Sequence, residues 1–278
     1  AELAGRATLT AGARRDDNEF FGTFDTYRLG LGVRLPAGVR ARAAAGTAFK
    51  EPTFDQQFNT AFTNGNRDLA PERSRSWEAG IEAPLGRRGS AAVTYFAQRF
   101  REMVVYQFNR DRTAPDYDNL AAASASGVEA ELRAAVTGSL SAVATYTYVH
   151  TEVDSAKAAP SISFTPGRPL LRRPRASATL DLRWRPAESA TTSLVLGYVG
   201  ARPDVEFLPD FSSRRVRLGG FTRVDLSGDV RVLGARGSRP PVAVTLRVDN
   251  LLDRDIEQLR GFPSPGRLVV AGVRLGAR

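Results

Sequence analysis

Cysteine is absent from the 278 residues, and the single histidine is His150. Disulfide staples, thiolate metal sites and sites built on several imidazoles are thereby excluded, so the chain implies no cofactor. Lysine is confined to Lys50 and Lys157, leaving arginine to supply nearly all of the positive charge. The formal net charge is +9, yet basic residues have acidic neighbours throughout and form no block, which argues against a nucleic-acid partner. Also missing is any run of about eighteen apolar residues, the minimum for a membrane helix. The N-terminal Ala1-Glu-Leu-Ala-Gly-Arg6 lacks the apolar core of a signal peptide. Convincing amphipathic helices are lacking too, so a membrane role must rest on strands.

What the chain does contain is alternation. About twelve segments of roughly ten residues show period two, close to the length a tilted strand needs to cross a bilayer. In Arg175 to Arg185, Ala176, Ala178, Leu180, Leu182 and Trp184 fall on one face, with Ser177, Thr179, Asp181 and Arg183 on the other. Trp77, Ala79, Ile81 and Ala83 oppose Glu78 and Glu82 in the same way. Val128, Ala130 and Leu132 oppose Glu129, Glu131 and Arg133, and Tyr27, Leu29, Leu31 and Val33 oppose Arg28 and Arg34. Val242, Val244, Leu246 and Val248 oppose Thr245, Arg247 and Asp249.

Alternation leaves open which face meets water, and connector lengths decide between the possibilities. Short turns are predicted near residues 36–38, 85–89, 137–139, 186–189 and 234–240. Long polar loops are predicted at 14–25, 50–73, 107–122, 153–173, 202–219 and 251–265. Strict alternation of short with long places every long loop at one end of an antiparallel meander, the asymmetry of an outer-membrane barrel. Charged strand residues then face the lumen, because an arginine turned to lipid at the midplane costs about 2–4 kcal/mol. Glu78, Glu129, Arg133, Asp181, Arg183, Asp225, Asp229 and Arg247 belong to that set. Tyr27, Trp77, Tyr146, Tyr148 and Tyr198 are expected in an outer aromatic girdle, with Trp184 in the periplasmic one.

Several boxes carry a family resemblance. Gly46-Thr-Ala-Phe-Lys-Glu-Pro-Thr53 is followed by Asn66-Arg-Asp-Leu-Ala-Pro-Glu-Arg73 and Ser76-Trp-Glu-Ala-Gly-Ile-Glu82. Tyr117-Asp-Asn119, Ser126-Gly-Val-Glu-Ala-Glu131, Ala144-Thr-Tyr-Thr-Tyr148, Arg168-Pro169, Asp249-Asn-Leu-Leu-Asp253 and Pro265-Gly-Arg267 come after them in order. Together they span nearly the whole chain, which resembles a TonB-dependent outer-membrane receptor of the cobalamin or siderophore type. The resemblance implies an all-β fold, an antiparallel transmembrane β-barrel meander of about twelve strands, the C-terminal part of a twenty-two-stranded barrel. Residues 1–278 are then one barrel domain, expected to lack the plug. The final Val273-Arg-Leu-Gly-Ala-Arg278 departs from the aromatic ending usual in the family.

Architectural roles are expected for the boxed residues Phe49, Lys50, Pro52, Asn66, Leu69, Pro71, Glu72, Asn250, Leu251, Asp253, Gly266 and Arg267. Pro52 ends ladder pairing, Pro71 stiffens its loop, Asn66 and Asn250 bond to nearby backbone, and Gly266 permits a conformation that a side chain resists. Substrate contact is expected from the external loops, through Asp55, Gln56, Gln57, Phe58, Phe62, Asn64, Arg110, Arg112 and Tyr117, with Asp204, Glu206, Arg214 and Arg215 as further polar loop residues. The function implied is TonB-energised uptake of a ferric siderophore or cobalamin across the outer membrane of a Gram-negative bacterium. Partners are membrane lipid, lipopolysaccharide phosphates at basic loop residues, and TonB through the absent plug. A haem ligand is disfavoured because no histidine lies between Phe49 and Asp68. Two other classes compete. A passive porin-like channel needs only a polar lumen, whereas a barrel hydrolase that resembled the outer-membrane phospholipases would carry a serine two residues after its histidine, and after His150 that position holds Glu152.

Overall fold

The computed structural model describes residues 2–3, 6–106, 114–156, 162–210, 212–236 and 239–276. Its strands in chain order are β1 (Glu2–Leu3), β2 (Ala7–Asn18), β3 (Gly22–Arg34), β4 (Arg40–Lys50), β5 (Glu72–Pro84) and β6 (Gly89–Tyr106). They continue with β7 (Tyr117–Ala135), β8 (Leu140–Ala156), β9 (Ala176–Ala187), β10 (Ala190–Val199), β11 (Arg202–Phe207) and β12 (Ser213–Leu218). The last are β13 (Phe221–Leu233), β14 (Val242–Asp249), β15 (Glu257–Leu259), β16 (Phe262–Pro263) and β17 (Leu268–Leu275), and one short helix, α1, spans Phe54–Phe58.

Thirteen of these strands form one antiparallel sheet in the order β1-β2-β3-β4-β5-β6-β7-β8-β9-β10-β13-β14-β17. The alternating segments account for twelve, and two-residue β1 is added at one edge. Paired hairpins β11–β12 and β15–β16 stand apart from the sheet. Among the described residues β17 pairs with β14 alone, and the opposite edge at β1 and β2 is not joined to it.

The strands run past the expected ten residues, to 18, 19 and 17 in β6, β7 and β8. Most of the predicted loops are therefore partly ladder. Segment 14–25 is a hairpin paired down to Asn18↔Gly22, and β7 begins at Tyr117 inside the predicted 107–122 loop. Likewise β8 extends to Ala156, and 202–219 and 251–265 hold β11–β12 and β15–β16. Period two fails there for a physical reason: beyond the bilayer both faces meet water, so the ladder continues without an apolar face. The short bends lie where expected, save that β9 includes Pro186 and leaves Glu188-Ser189 as the turn.

Cross-strand register carries one face through the sheet. The row Leu29↔Ala45↔Trp77↔Ala97↔Ser126↔His150 belongs to it, as does Tyr146↔Ala178↔Tyr198. Its large side chains are open: Leu29 is 47% exposed, Trp77 50% and Leu246 46%. Hidden apolar side chains are few, and Leu69, Val105, Val153, Val205 and Ile256 among them sit in the long-loop end of the molecule. A water-soluble sheet would bury its leucines and valines; this one turns them outward, as lipid contact requires. All six expected girdle aromatics lie on this face.

The opposite face is polar and internally paired. Arg40 meets Glu82 at 2.6 Å, Arg42 donates to Thr94 at 2.9 Å, and Ser193 donates to Asp181 at 3.0 Å. Around the last strands Arg223 binds Asp225 at 2.8 Å and Asp249 at 3.6 Å, while Arg247 reaches Asp249 at 2.8 Å and Arg274 reaches Asp229 at 3.7 Å. These pairs are half-open, and each contributes little stability by itself. Their value is placement, since every charge is kept on the lumen side.

Close backbone approach is enforced at Gly127, whose lumen side is covered by the Phe96 ring across the ladder. A Cβ there would sit 2.2 Å from the Tyr148 carbonyl oxygen and 2.8 Å from Phe96. Overpacking of this kind costs about 1–3 kcal/mol. Gly127→Ala is expected to lower the urea midpoint of the micelle-embedded protein, whereas Gly12→Ala, with nothing within 4 Å of its Cβ, leaves it unchanged. Equal midpoints for the two variants would refute the packing assignment.

Candidate functional site

Long connectors gather at one end of the sheet, above strand ends 50/72, 106/117, 156/176, 199/221 and 249/268. The loop between β4 and β5 starts with Thr53, which caps α1 through a reciprocal box with Gln56: the Gln56 amide donates to Thr53 Oγ1 at 3.2 Å, and the Thr53 amide to Gln56 Oε1 at 2.9 Å. Pro52, Pro71 and Leu69 are buried, and Leu69 retains 3% of its surface. Lys50 and Glu72 meet at 3.2 Å where the strands resume, and Glu72 also accepts the Val104 amide at 2.8 Å.

Three amide side chains tie this loop to the start of β7. Asn64 donates to the Ala114 carbonyl at 2.7 Å, while its own amide reaches Asp116 Oδ2 at 2.8 Å. Asn66 donates to the Tyr117 carbonyl at 2.9 Å and accepts the Asp68 amide at 2.9 Å. Asn119 accepts the Ala70 amide at 2.7 Å and donates to the carbonyls of Ala70 (2.8 Å) and Glu102 (2.7 Å). A buried amide that uses both ends in this way satisfies backbone the ladder has released.

The predicted contact residues thus divide. Asp55 accepts from Tyr117 at 3.3 Å and from Asn59, Gln56 caps the helix, Gln57 is buried, and Asn64 and Tyr117 join the two segments. Arg110 and Arg112 lie outside the described residues. Phe58 and Phe62 point to solvent, 41% and 88% exposed. With them stand Phe54, 84% exposed and 5.9 Å from the Phe58 ring, and Arg67, whose guanidinium lies 5.3 Å over Phe58. Phe54 and Arg67 were missed. The box Thr53-x-x-Gln56 signals the helix that sets residues 54 and 58 on one face.

A second assembly is centred on Asp204, whose side chain is fully buried. Arg172 donates to Asp204 at 2.8 Å, as do the amides of Val205 and Arg260, both at 2.8 Å. Burial alone would push its carboxyl up, but these bonds outweigh burial and hold it below the usual carboxylate range. Glu206 next to it is likewise lowered, by Arg260 (2.8 Å) and then Arg214 (2.6 Å). Arg202 donates to the carbonyls of Glu257 and Gln258, both at 2.7 Å, and Arg215 to those of Ile162 (3.2 Å) and Pro169. The further polar loop residues expected here, Asp204, Glu206, Arg214 and Arg215, bond to one another or to neighbouring backbone across three connectors.

The last connector closes on itself. Asn250, 2% exposed with φ of 52°, exchanges hydrogen bonds with the Arg254 backbone at 2.9 and 3.0 Å. Its own amide donates to Asp225 at 2.7 Å, and the Leu251 amide to the Val224 carbonyl at 2.7 Å. Asp253 accepts the Arg267 amide at 2.7 Å, Arg267 Nε returns to the Leu251 carbonyl at 3.0 Å, and a Cβ at Gly266 would stand 3.0 Å from Asp253. His150 lies on the outward face opposite Ser126 and 3.6 Å from Glu152, and no hydrogen bond joins His150 to Ser126.

Residues 1–251 match the family described as TonB dependent receptor-like, beta-barrel. Among solved structures, the siderophore receptor PirA from Pseudomonas aeruginosa superposes with a TM-score of 0.70 at 20% identity, over 98% of this chain and 46% of that one. A G324V mutant of the ferric enterobactin receptor PfeA from Pseudomonas aeruginosa gives 0.73 at 19% identity, over 98% and 43%. The copper transporter OprC gives 0.70 at 17% identity, over 98% and 46%. At these identities the likeness is one of fold, and the chain spans less than half the length of each of the three.

Because both Asp204 and Glu206 are lowered, the stability they contribute is present above the ordinary carboxylate range, about pH 4, and is lost as pH falls through their depressed values. Hydrogen exchange at the Val205 and Arg260 amides, corrected for intrinsic rate, is expected to be slow at pH 5 and to accelerate below about pH 4. Asp204→Asn should flatten that profile. A wild-type profile without a pH step would refute the assignment.

Proposed function

Since the chain belongs to the TonB-dependent receptor β-barrel family of the Gram-negative outer membrane, we propose that it forms one arc of a larger receptor barrel that takes up an anionic, aromatic-bearing metal chelate of the ferric siderophore kind. Proteins of this family are transport receptors, not enzymes. The observation that carries the ligand reading is the exposed set Phe54, Phe58 and Phe62 with Arg67, held up on a loop whose amide side chains are committed to backbone. Stacking rings and a guanidinium suit a flat anionic ligand, and the tied base beneath them lowers the entropy lost on binding. Cobalamin offers less negative charge for Arg67, so the chelate is the better match.

Two further parts of the reading come from the family. A plug-like domain supplied elsewhere in the protein fills the lumen and couples to TonB, and additional strands pair with the open edges at β1 and β17, because unpaired backbone is costly in lipid. The half-open ion pairs of the inner face then meet the plug surface.

Uptake of a radiolabelled ferric catecholate by cells expressing the complete receptor, compared with uptake of labelled cobalamin, tests the proposal. Uptake should favour the ferric chelate and vanish in TonB-deficient cells. Phe58→Ala with Arg67→Ala should weaken ligand binding about tenfold, the loss of roughly 1.4 kcal/mol. Uptake that persists without TonB would point to a passive channel, and preference for cobalamin would overturn the chelate.

A further inference from the structure

The two ends of the sheet differ in charge. Every long connector carries carboxylates, whereas the short turns at 36–38, 85–89, 137–139, 186–189 and 234–240 hold Arg87, Arg88, Arg236 and Arg239 against the single acid Glu188. Beside the turns stand Arg34, Arg185 and Arg231. These arginines are exposed, and none of them has an ion-pair partner among the described residues. Other carboxylates near this end are engaged: Glu82 by Arg40 at 2.6 Å, Glu131 by Arg133 at 2.6 Å and Asp229 by Arg274 at 3.7 Å. Arg236 and Arg239 even face each other across an isolated β-bridge, their backbones exchanging hydrogen bonds at 3.2 and 3.1 Å. Like charges set opposite each other in this way repel.

Strand parity decides where this surplus is offered. Leu35, Leu85 and Trp184 carry the outward apolar face down to the rim and are exposed on it. Arg34, Arg185 and Arg231 have the opposite parity, and the last two line a notch of about 470 Å³ at the mouth of the inner face, together with Arg274. Arg87, Arg88, Arg236 and Arg239 sit in the turns themselves. Lipid therefore meets the leucines and the indole, and the cations are left to the aqueous compartment below. Successive hairpin turns lie two strands apart, about 10 Å, so the cationic points are spread along the rim and do not converge on one pocket. An exposed ion pair contributes only about 0–1 kcal/mol, too little to hold a single carboxylate. A polymer with carboxylates at every repeat gains by engaging several points at once.

We propose that the short-turn rim docks on the peptidoglycan beneath the outer membrane, a polymer whose stem peptides carry free carboxylates, with Arg87, Arg88, Arg236 and Arg239 making the contacts and the notch of Arg185 and Arg231 taking a further carboxylate. Guanidinium groups bind carboxylate oxygens in pairs, and a carboxylate between Arg236 and Arg239 removes their mutual repulsion. Docking of this kind tethers the receptor to the wall on the side from which it is energised. The proposal rests on the outer-membrane reading given above, in which short turns are periplasmic, and is independent of which nutrient is carried.

The test sediments the complete receptor, purified in zwitterionic detergent, with isolated peptidoglycan sacculi and measures the bound fraction at low salt. Sacculi whose carboxylates have been amidated are run in parallel. Wild-type protein should bind native sacculi at least about tenfold more tightly than amidated ones, a comparison that needs no variant. Replacing Arg87, Arg88, Arg236 and Arg239 together by glutamine should lose a similar factor, while Arg99→Gln, at the opposite end, should lose none. Equal binding to native and amidated sacculi, or a turn variant that binds as the wild type does, would overturn the docking. Displacement of the sacculi by phosphatidylglycerol added to the micelles would assign the arginines to lipid and overturn it too. The heat-induced shift in electrophoretic mobility is read on the same samples. A wild type without that shift would sink the outer-membrane reading itself, whereas a shifted protein indifferent to wall carboxylates would sink only the docking.

Discussion

Inside a bilayer no water is present to satisfy a peptide group, and everything else in this molecule follows from that constraint. Each strand of the main sheet from β2 to β14 has a hydrogen-bonded neighbour on both sides, and the chain achieves this with plain up-and-down connections apart from two small hairpins set outside the sheet. Glycine at Gly127 lets β6, β7 and β8 approach closely with Phe96 closing the gap, so pairing is kept where a larger residue would pry the ladder apart.

Above the membrane the same demand is met by side chains. Where the ladder ends, Asn66, Asn119 and Asn250 take over its donors and acceptors, and Arg202 and Arg215 donate to backbone carbonyls of neighbouring connectors. The buried Asp204 gathers two backbone amides and a guanidinium and so fixes β11 against the last connector. A rim built in this way is rigid at its base. In the connector between β4 and β5 it leaves Phe54, Phe58, Phe62 and Arg67 on the surface.

Arginine serves three ends according to where a strand's alternation and height place it. On the inner face it pairs with carboxylates, as Arg40 does with Glu82. In the loops it braces backbone. On the outer face it occurs beyond the aromatic belt, at Arg73, Arg75, Arg99 and Arg101, where Arg75 stands opposite Arg99 and Arg73 opposite Arg101.

Period two in Ala176 to Trp184 and in Trp77 to Ala83 was sufficient to assign the strands and their two faces, because that pattern is local and the pleat repeats every second residue, and the alternation of short with long connectors then picked the lipid-facing side. Connector lengths sorted the two ends correctly for the same reason. The overhangs of β7 and β8 were invisible, since a ladder in water no longer sorts polar from apolar. Nor does local sequence reveal that Asn66 bonds to residue 117, that Asp204 receives Arg172 and Arg260, or that Arg75 confronts Arg99. Those partners are far apart along the chain, and only the register of the assembled sheet and the docking of its loops bring them within a few ångströms.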